Sequence, residues 1–240
     1  MMRNSVKHIS FDVWQTLINS NVIFREKRNE LLQDHFNVDI AVERFGEIVK
    51  KRQAWCTIAN QVVGRNFDSF EIILLILQDC GQSVEELTID SFTAFYEAME
   101  KLFFKFPPIL IEENLHALFT QLQKQEVGLS LLSNTGLIKG RSLRQFFASQ
   151  DLLKYFNFEL YSDEIGLSKP NSKAFEKVYE LASRRINLQP QEVIHIGDNK
   201  IADYEGALTF GFQPVLIDHT EITLHNYFTN NVFNLRQKQN

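Results

Sequence analysis

Residues 8–16 read His-Ile-Ser-Phe-Asp-Val-Trp-Gln-Thr, a short apolar run that stops abruptly at a carboxylate and opens into polar residues. A run of this kind predicts a buried β-strand over residues 8–12, with Asp12 at its carboxyl end. Three more runs share that character, at residues 127–133, 193–197 and 214–217, and a weaker one lies at 157–161. Between the later runs, helical patterns occupy residues 139–149, 172–185 and 201–210. Strands that alternate with helices predict an α/β fold. The expectation is a Rossmann-like, three-layer core whose mainly parallel sheet is covered on both faces.

The alternation is broken once. More than a hundred residues separate the first strand from the second, far more than a single crossover helix needs. Within that interval, Phe45, Val49, Arg52, Cys56, Ala59 and Val63 follow helical spacing, as do Phe92, Tyr96, Met99, Phe103 and Phe106. Asp68-x-x-Glu71 and Ser83-x-x-Glu86 have the capping-box pattern, and Gly81 is placed to end the helix that contains residues 72–77. Pro107-Pro108 forbids helix continuation. The expected organisation is therefore a core of residues 1–19 and 107–240, including a helix near 112–125, interrupted by a helical cap domain at 20–106.

Composition narrows the function. The 240 residues are 44% hydrophobic, enough for a substantial core, and a net charge of -5 gives no general attraction for a polyanion. No nucleic acid partner is expected. The most apolar run, residues 72–77, is far shorter than the roughly 20 residues a membrane span needs, and residues 1–8 are polar with no apolar stretch behind them. The chain is thus expected to be cytoplasmic, without a membrane partner. Cys56 and Cys80 stand apart and read as core thiols, although a disulfide between them stays open. The six histidines show no i,i+4 metal-binding pair. Neither G-x-S-x-G, G-x-G-x-x-G nor the P-loop pattern occurs.

Ligands of an open parallel sheet bind outside the carboxyl ends of its strands. Here those ends carry Asp12-Val13-Trp14-Gln15-Thr16, Ser133-Asn134-Thr135 and Gly197-Asp198-Asn199, with Asp203 following and Lys169-Pro170 just before a helix. Singly, each has a simple structural role as a turn, a helix cap or a surface charge. Their order and shared placement set them apart.

Taken together they resemble the haloacid dehalogenase superfamily of hydrolases, mostly phosphatases, across nearly the whole chain outside the insert. The insert's position matches the helical cap of the first type. The resemblance implies that Asp12 is the nucleophile and Thr16 the threonine of the first motif. It makes Ser133 the hydroxyl of the second, Lys169 the lysine of the third, and Asp198 with Asp203 the acids of the fourth. It further implies a Mg²⁺ site formed by Asp12, Asp198 and the main-chain carbonyl of Trp14, with Asp203 and Asn199 behind it. Thr16, Ser133, Asn134 and Lys169 would hold the phosphate. Such a carboxylate attacks phosphorus to give an aspartyl-phosphate, once positive charge offsets its repulsion from the phosphate.

One position departs from the pattern. Phosphatases of this family usually carry a second Asp two residues after the nucleophile, as general acid and base, whereas this chain has Trp14. An aromatic residue there resembles the metal-independent 2-haloacid dehalogenases, which makes dehalogenation the alternative. Those enzymes, however, lack the acid found here at Asp198. A third reading is a weakly active member that binds a phosphorylated ligand. Gln15 stands where a Gly is common. The expected substrate is a small phosphorylated metabolite, with Arg52 and Trp55 as candidates for specificity in the cap, and the expected assembly is a monomer or homodimer.

Overall fold

The computed structural model describes residues 6–85, 87–218, 220 and 222–229; Glu86, and with it the second capping-box pattern, lies outside the described residues. The chain opens with β1 (His8–Phe11) and a two-residue strand β2 (Ile18–Asn19). Four helices follow: α1 (Val22–His35), α2 (Val42–Val63), α3 (Ser69–Asp79) and α4 (Ile89–Lys105). The chain re-enters through β3 (Ile109–Leu110), which pairs antiparallel with β2, so a short ribbon joins the points where the chain leaves for the four helices and returns. The sequence reading contains neither of these strands.

The α/β run then continues through α5 (Leu115–Lys124), β4 (Gly128–Ser133), α6 (Gly140–Ser149), β5 (Phe158–Tyr161), α7 (Ser162–Ile165) and α8 (Ser172–Ser183). It ends with β6 (Val193–Gly197), α9 (Gly206–Phe210), β7 (Gln213–Leu216) and α10 (Leu224–Tyr227). Five strands form one parallel sheet in the order β5-β4-β1-β6-β7. The fold is α/β and Rossmann-like.

Two apolar clusters pack on the sheet. Ile9, Phe11, Leu129, Leu131, Ile194 and Ile196 face α5, α6, α10 and the four-helix insert in one continuous cluster. Leu132, Leu160 and Val193 face Phe175 and Val178 of α8 and Ala207 of α9 on the other side. Alternate residues of a strand point to opposite faces, so β1 turns Ile9 and Phe11 toward the larger cluster and His8 and Ser10 the other way.

Local signals act where the sequence places them. Asp68 accepts from the Phe70 N–H while Glu71 accepts from the Asp68 N–H, closing the capping box of α3. Gly81, with φ +77°, supplies the left-handed residue after that helix. The expected helix at 201–210 is instead a wide π-type turn at Lys200–Glu205 leading into α9. Cys56 and Cys80 are both free thiols. No helix among the described residues is long and apolar enough to cross a membrane.

Candidate active site

The loops after β1, β4 and β6 meet where the strand order reverses beside β1, the position at which open α/β sheets bind ligands. Asp12 continues β1 by one hydrogen bond, its N–H donating to the Ile196 carbonyl at 2.8 Å. Gln15 then takes φ +59°, a left-handed conformation where glycine is at ease, and the turn brings Thr16 back so that its hydroxyl donates to Asp12 Oδ2 at 3.1 Å.

Lys169 is 1% exposed, and its ammonium has all three protons committed. It donates to Asp12 Oδ1 at 2.6 Å, to the Leu132 carbonyl at 2.7 Å, and lies 2.6 Å from Asp203 Oδ1. Burial alone would lower its pKa, but the two carboxylates outweigh that and raise it, so Lys169 is held charged. Its main chain is fixed by Asn134, whose Oδ1 accepts from the Lys169 N–H at 2.8 Å and whose Nδ2 donates to the Lys169 carbonyl at 2.9 Å. Both ends of that amide are thus spent on placing the lysine. Ser133 is buried in the same loop, its hydroxyl 3.3 Å from the Asn134 carbonyl.

Asp203 sits behind these groups. Its Oδ2 accepts from the Asn199 N–H at 2.9 Å, and its Oδ1 lies 3.1 Å from His195 Nε2. Burial pushes this carboxyl up, yet Lys169 and His195 outweigh burial and hold it well below the usual range. His195 is kept neutral mainly by burial. A neutral ring beside an ionised Asp203 donates from Nε2 and accepts at Nδ1 from the Ser10 hydroxyl, 3.0 Å away. Asn199 also caps the following turn, accepting from the Ile201 and Ala202 N–H groups. A side chain at Gly197 would collide with the Asp203 carboxylate, so the close approach of that strand end requires glycine.

Asp12, Asp198 and Asp203 each offer a carboxylate oxygen, all within 4.8 Å of one another. Burial and its acidic neighbours push Asp12 up to about 7 against the pull of Lys169. Three carboxylates whose oxygens converge in this way form a donor set that suits a hard divalent cation with oxygen ligands.

Beside this cluster lies a cavity of about 530 Å³, walled by Trp14 and the Gly136–Leu137–Ile138 loop on the sheet side and by α1 and α2 opposite. Two residues expected there are elsewhere. Arg52 donates to both oxygens of Asp79, and Trp55 is 49% exposed; neither lines the cavity. The charged wall consists instead of Arg25, Glu26, Arg28 and Lys50. Sequence reasoning also missed Ser10 and His195. Their signal was available: polar residues at alternate positions of strands otherwise buried on both faces.

Acids gathered around a buried lysine at this point of a parallel sheet mark the candidate centre. Residues 9–217 match the haloacid dehalogenase-like hydrolases, and the chain belongs to that family. Among curated relatives, it is 25% identical to glyceraldehyde 3-phosphate phosphatase of Methanopyrus kandleri over 88% of this chain and 84% of that protein. It is 28% identical to 5-amino-6-(5-phospho-D-ribitylamino)uracil phosphatase YigB of Escherichia coli, over 88% and 83% respectively. Its fold is similar to that of the HAD-hydrolase YfnB from Bacillus subtilis, solved bound to magnesium, with a TM-score of 0.69 and 18% identity over 94% of this chain and 98% of that one. L-2-haloacid dehalogenase from Xanthobacter autotrophicus is also similar, with a TM-score of 0.57 and 16% identity over 96% of this chain and 84% of that one.

Proposed function

We propose that this chain is a Mg²⁺-dependent phosphatase of small phosphate esters, working through an aspartyl-phosphate on Asp12. The observation that carries the reading is a cluster of three carboxylates, Asp12, Asp198 and Asp203, whose oxygens lie within 4.8 Å of one another and two of which, Asp12 and Asp203, are paired with Lys169. The two phosphatases among its relatives, and a similar fold solved with magnesium, point the same way.

In this reading residues 20–106 are a helical cap over a core of residues 1–19 and 107–240. Mg²⁺ held by Asp12, Asp198 and the Trp14 carbonyl would supply the positive charge that lets a carboxylate approach a phosphate. Lys169 offsets charge on the transferring group and opposes the upward push of burial on Asp12, while Thr16 orients the Asp12 carboxylate. An Asp12 oxygen bonds to phosphorus as the ester P–O bond breaks, and the departing oxygen takes its proton from solvent because the indole N–H of Trp14 is far too weak an acid to supply one. Water then attacks phosphorus, releasing inorganic phosphate and restoring Asp12. Ser133 and the N–H groups of its loop bind phosphate oxygens; Asn134 acts by positioning Lys169, and Asn199 by fixing Asp203.

Trp14 favours one other reading, the metal-independent 2-haloacid dehalogenase, in which Asp12 attacks carbon. Asp198 opposes it, since a further, half-buried acid beside the buried Asp12 without a cation is costly. Phosphate release from an aryl phosphate, measured with and without Mg²⁺, tests the proposal against halide release from 2-chloropropionate without metal. Mg²⁺-dependent phosphate release is expected; metal-independent halide release would overturn the assignment.

A further inference from the structure

The wall of the 530 Å³ cavity contains a buried cation with no acid to balance it. Arg28 is 7% exposed, and the hydrogen bonds of its guanidinium, from Nε at 3.2 Å and Nη2 at 2.8 Å, both go to the neutral Oδ1 of Asn29. Among the described residues no carboxylate lies within ion-pair distance of Arg28. The other well-buried cation, Lys169, by contrast has two. Burial and the neighbouring Arg25 lower the Arg28 pKa to about 10, which still leaves it charged at neutral pH. Like charges three residues apart on a helix destabilise it, and an unpaired buried charge costs several times more. Lys50 of α2 adds a third cation to the same wall, against the single acid Glu26.

A buried fork of donors that faces a cavity and lacks a protein anion is arranged for an anion brought by the ligand. The cavity is of a size that holds a metabolite, and Trp14, two residues after Asp12, forms part of its wall. We infer that Arg28, with Arg25 and Lys50 at the rim, binds a second oxyanion at the non-reacting end of the substrate. The substrate class is then a phosphate monoester bearing a carboxylate or a second phosphate. This rests on the phosphatase reading for the reacting end only.

The test uses the full chain with Mg²⁺ and alkyl phosphates of two to five carbons ended by a carboxylate, by its methyl ester, or by a second phosphate. At the best length, kcat/KM for an anionic tail is expected to exceed that for the methyl ester by about tenfold or more, from a lower KM. The carboxylate and bisphosphate series distinguish the two oxyanions. Arg28→Met should erase the preference and Arg28→Lys should keep part of it. If Arg28→Met does not fold, the exposed-position changes Arg25→Gln and Lys50→Gln should each lower the preference about two- to threefold. Equal kcat/KM for the charged and esterified tails, or a preference that survives Arg28→Met, overturns the inference.

A binding arm separates the two claims. The non-hydrolysable 4-phosphonobutyrate should raise Tm more than butylphosphonate does, and Arg28→Lys should shrink that difference. If no ester is turned over but the difference is seen, the phosphatase reading fails and the anion site stands. Turnover with no difference has the opposite meaning.

Discussion

Lys169 and Arg28 are both buried cations, yet their surroundings are opposite. Lys169 stands between Asp12 and Asp203, with every ammonium proton used. Arg28 has one neutral amide oxygen and a cavity. The lysine at the floor of the site is therefore satisfied by the chain itself, whereas the arginine of its helical wall is not. A centre that performs one reaction on many substrates needs a fixed floor, and specificity needs a wall that the correct substrate completes.

The contrast is sharpest under substitution. Lys169→Met is expected to cut turnover by at least about 10³-fold and to destabilise the fold by about 3–5 kcal/mol, because Asp12 and Asp203 lose their common cation. Turnover and urea denaturation measure both effects. A fully active, equally stable variant would remove Lys169 from the floor.

A third buried base, His8, tests whether burial alone or burial with a partner sets charge. It is held near pKa 4, by burial first and then by Arg185, with Ser130 Oγ 2.8 Å from its Nε2. The unfolded chain gains this proton near pH 6.5, before the folded chain does, so stability is full above that pH and declines as pH falls toward 4. The loss attributable to His8 is about 3 kcal/mol. His8→Gln should flatten that part of the stability curve; an unchanged slope would show that His8 charges within the fold.

Trp14→Asp addresses the join between floor and wall. Supplying the missing proton donor should speed hydrolysis of alkyl phosphates by about 10²-fold while leaving aryl phosphates, whose leaving groups need no proton, much less affected. Equal gains for both would show that proton transfer is not the limitation. The smallest effect is the most diagnostic of the contrast. Arg28→Met should stabilise the fold by about 1 kcal/mol in urea denaturation, since it replaces an unpaired buried charge by an apolar side chain of similar length. Destabilisation would mean that Arg28 already has adequate partners.

How well each region could be read from sequence follows the same division. Asp12, Ser133, Asp198 and Lys169 are legible because each adjoins the end of an apolar strand or the start of a helix, where polar side chains stand out. Ser10 and His195 are hidden within strands, and their meaning appears only when parallel pairing sets Ser10 opposite His195. The helix α1 was not resolved as a separate element because Arg25, Glu26, Lys27 and Arg28 mask its buried stripe of Phe24, Arg28 and Leu32. That stripe has i,i+4 spacing with an arginine at its centre, and the arginine is what marks the wall. The short β2–β3 ribbon was illegible for another reason: two residues per strand carry no periodicity at all.

The alternation along β1 also bears on how the chain finds its alignment. His8 reaches Ser130 on one neighbouring strand, Ser10 reaches His195 on the other, and Asp12 meets Lys169 just beyond. Sliding β1 by a single residue would thrust all three polar groups into the phenylalanine-rich layer and turn Ile9 and Phe11 toward the charges. These polar side chains thus serve as alignment marks during assembly, and damage to them should be felt in misregistered chains.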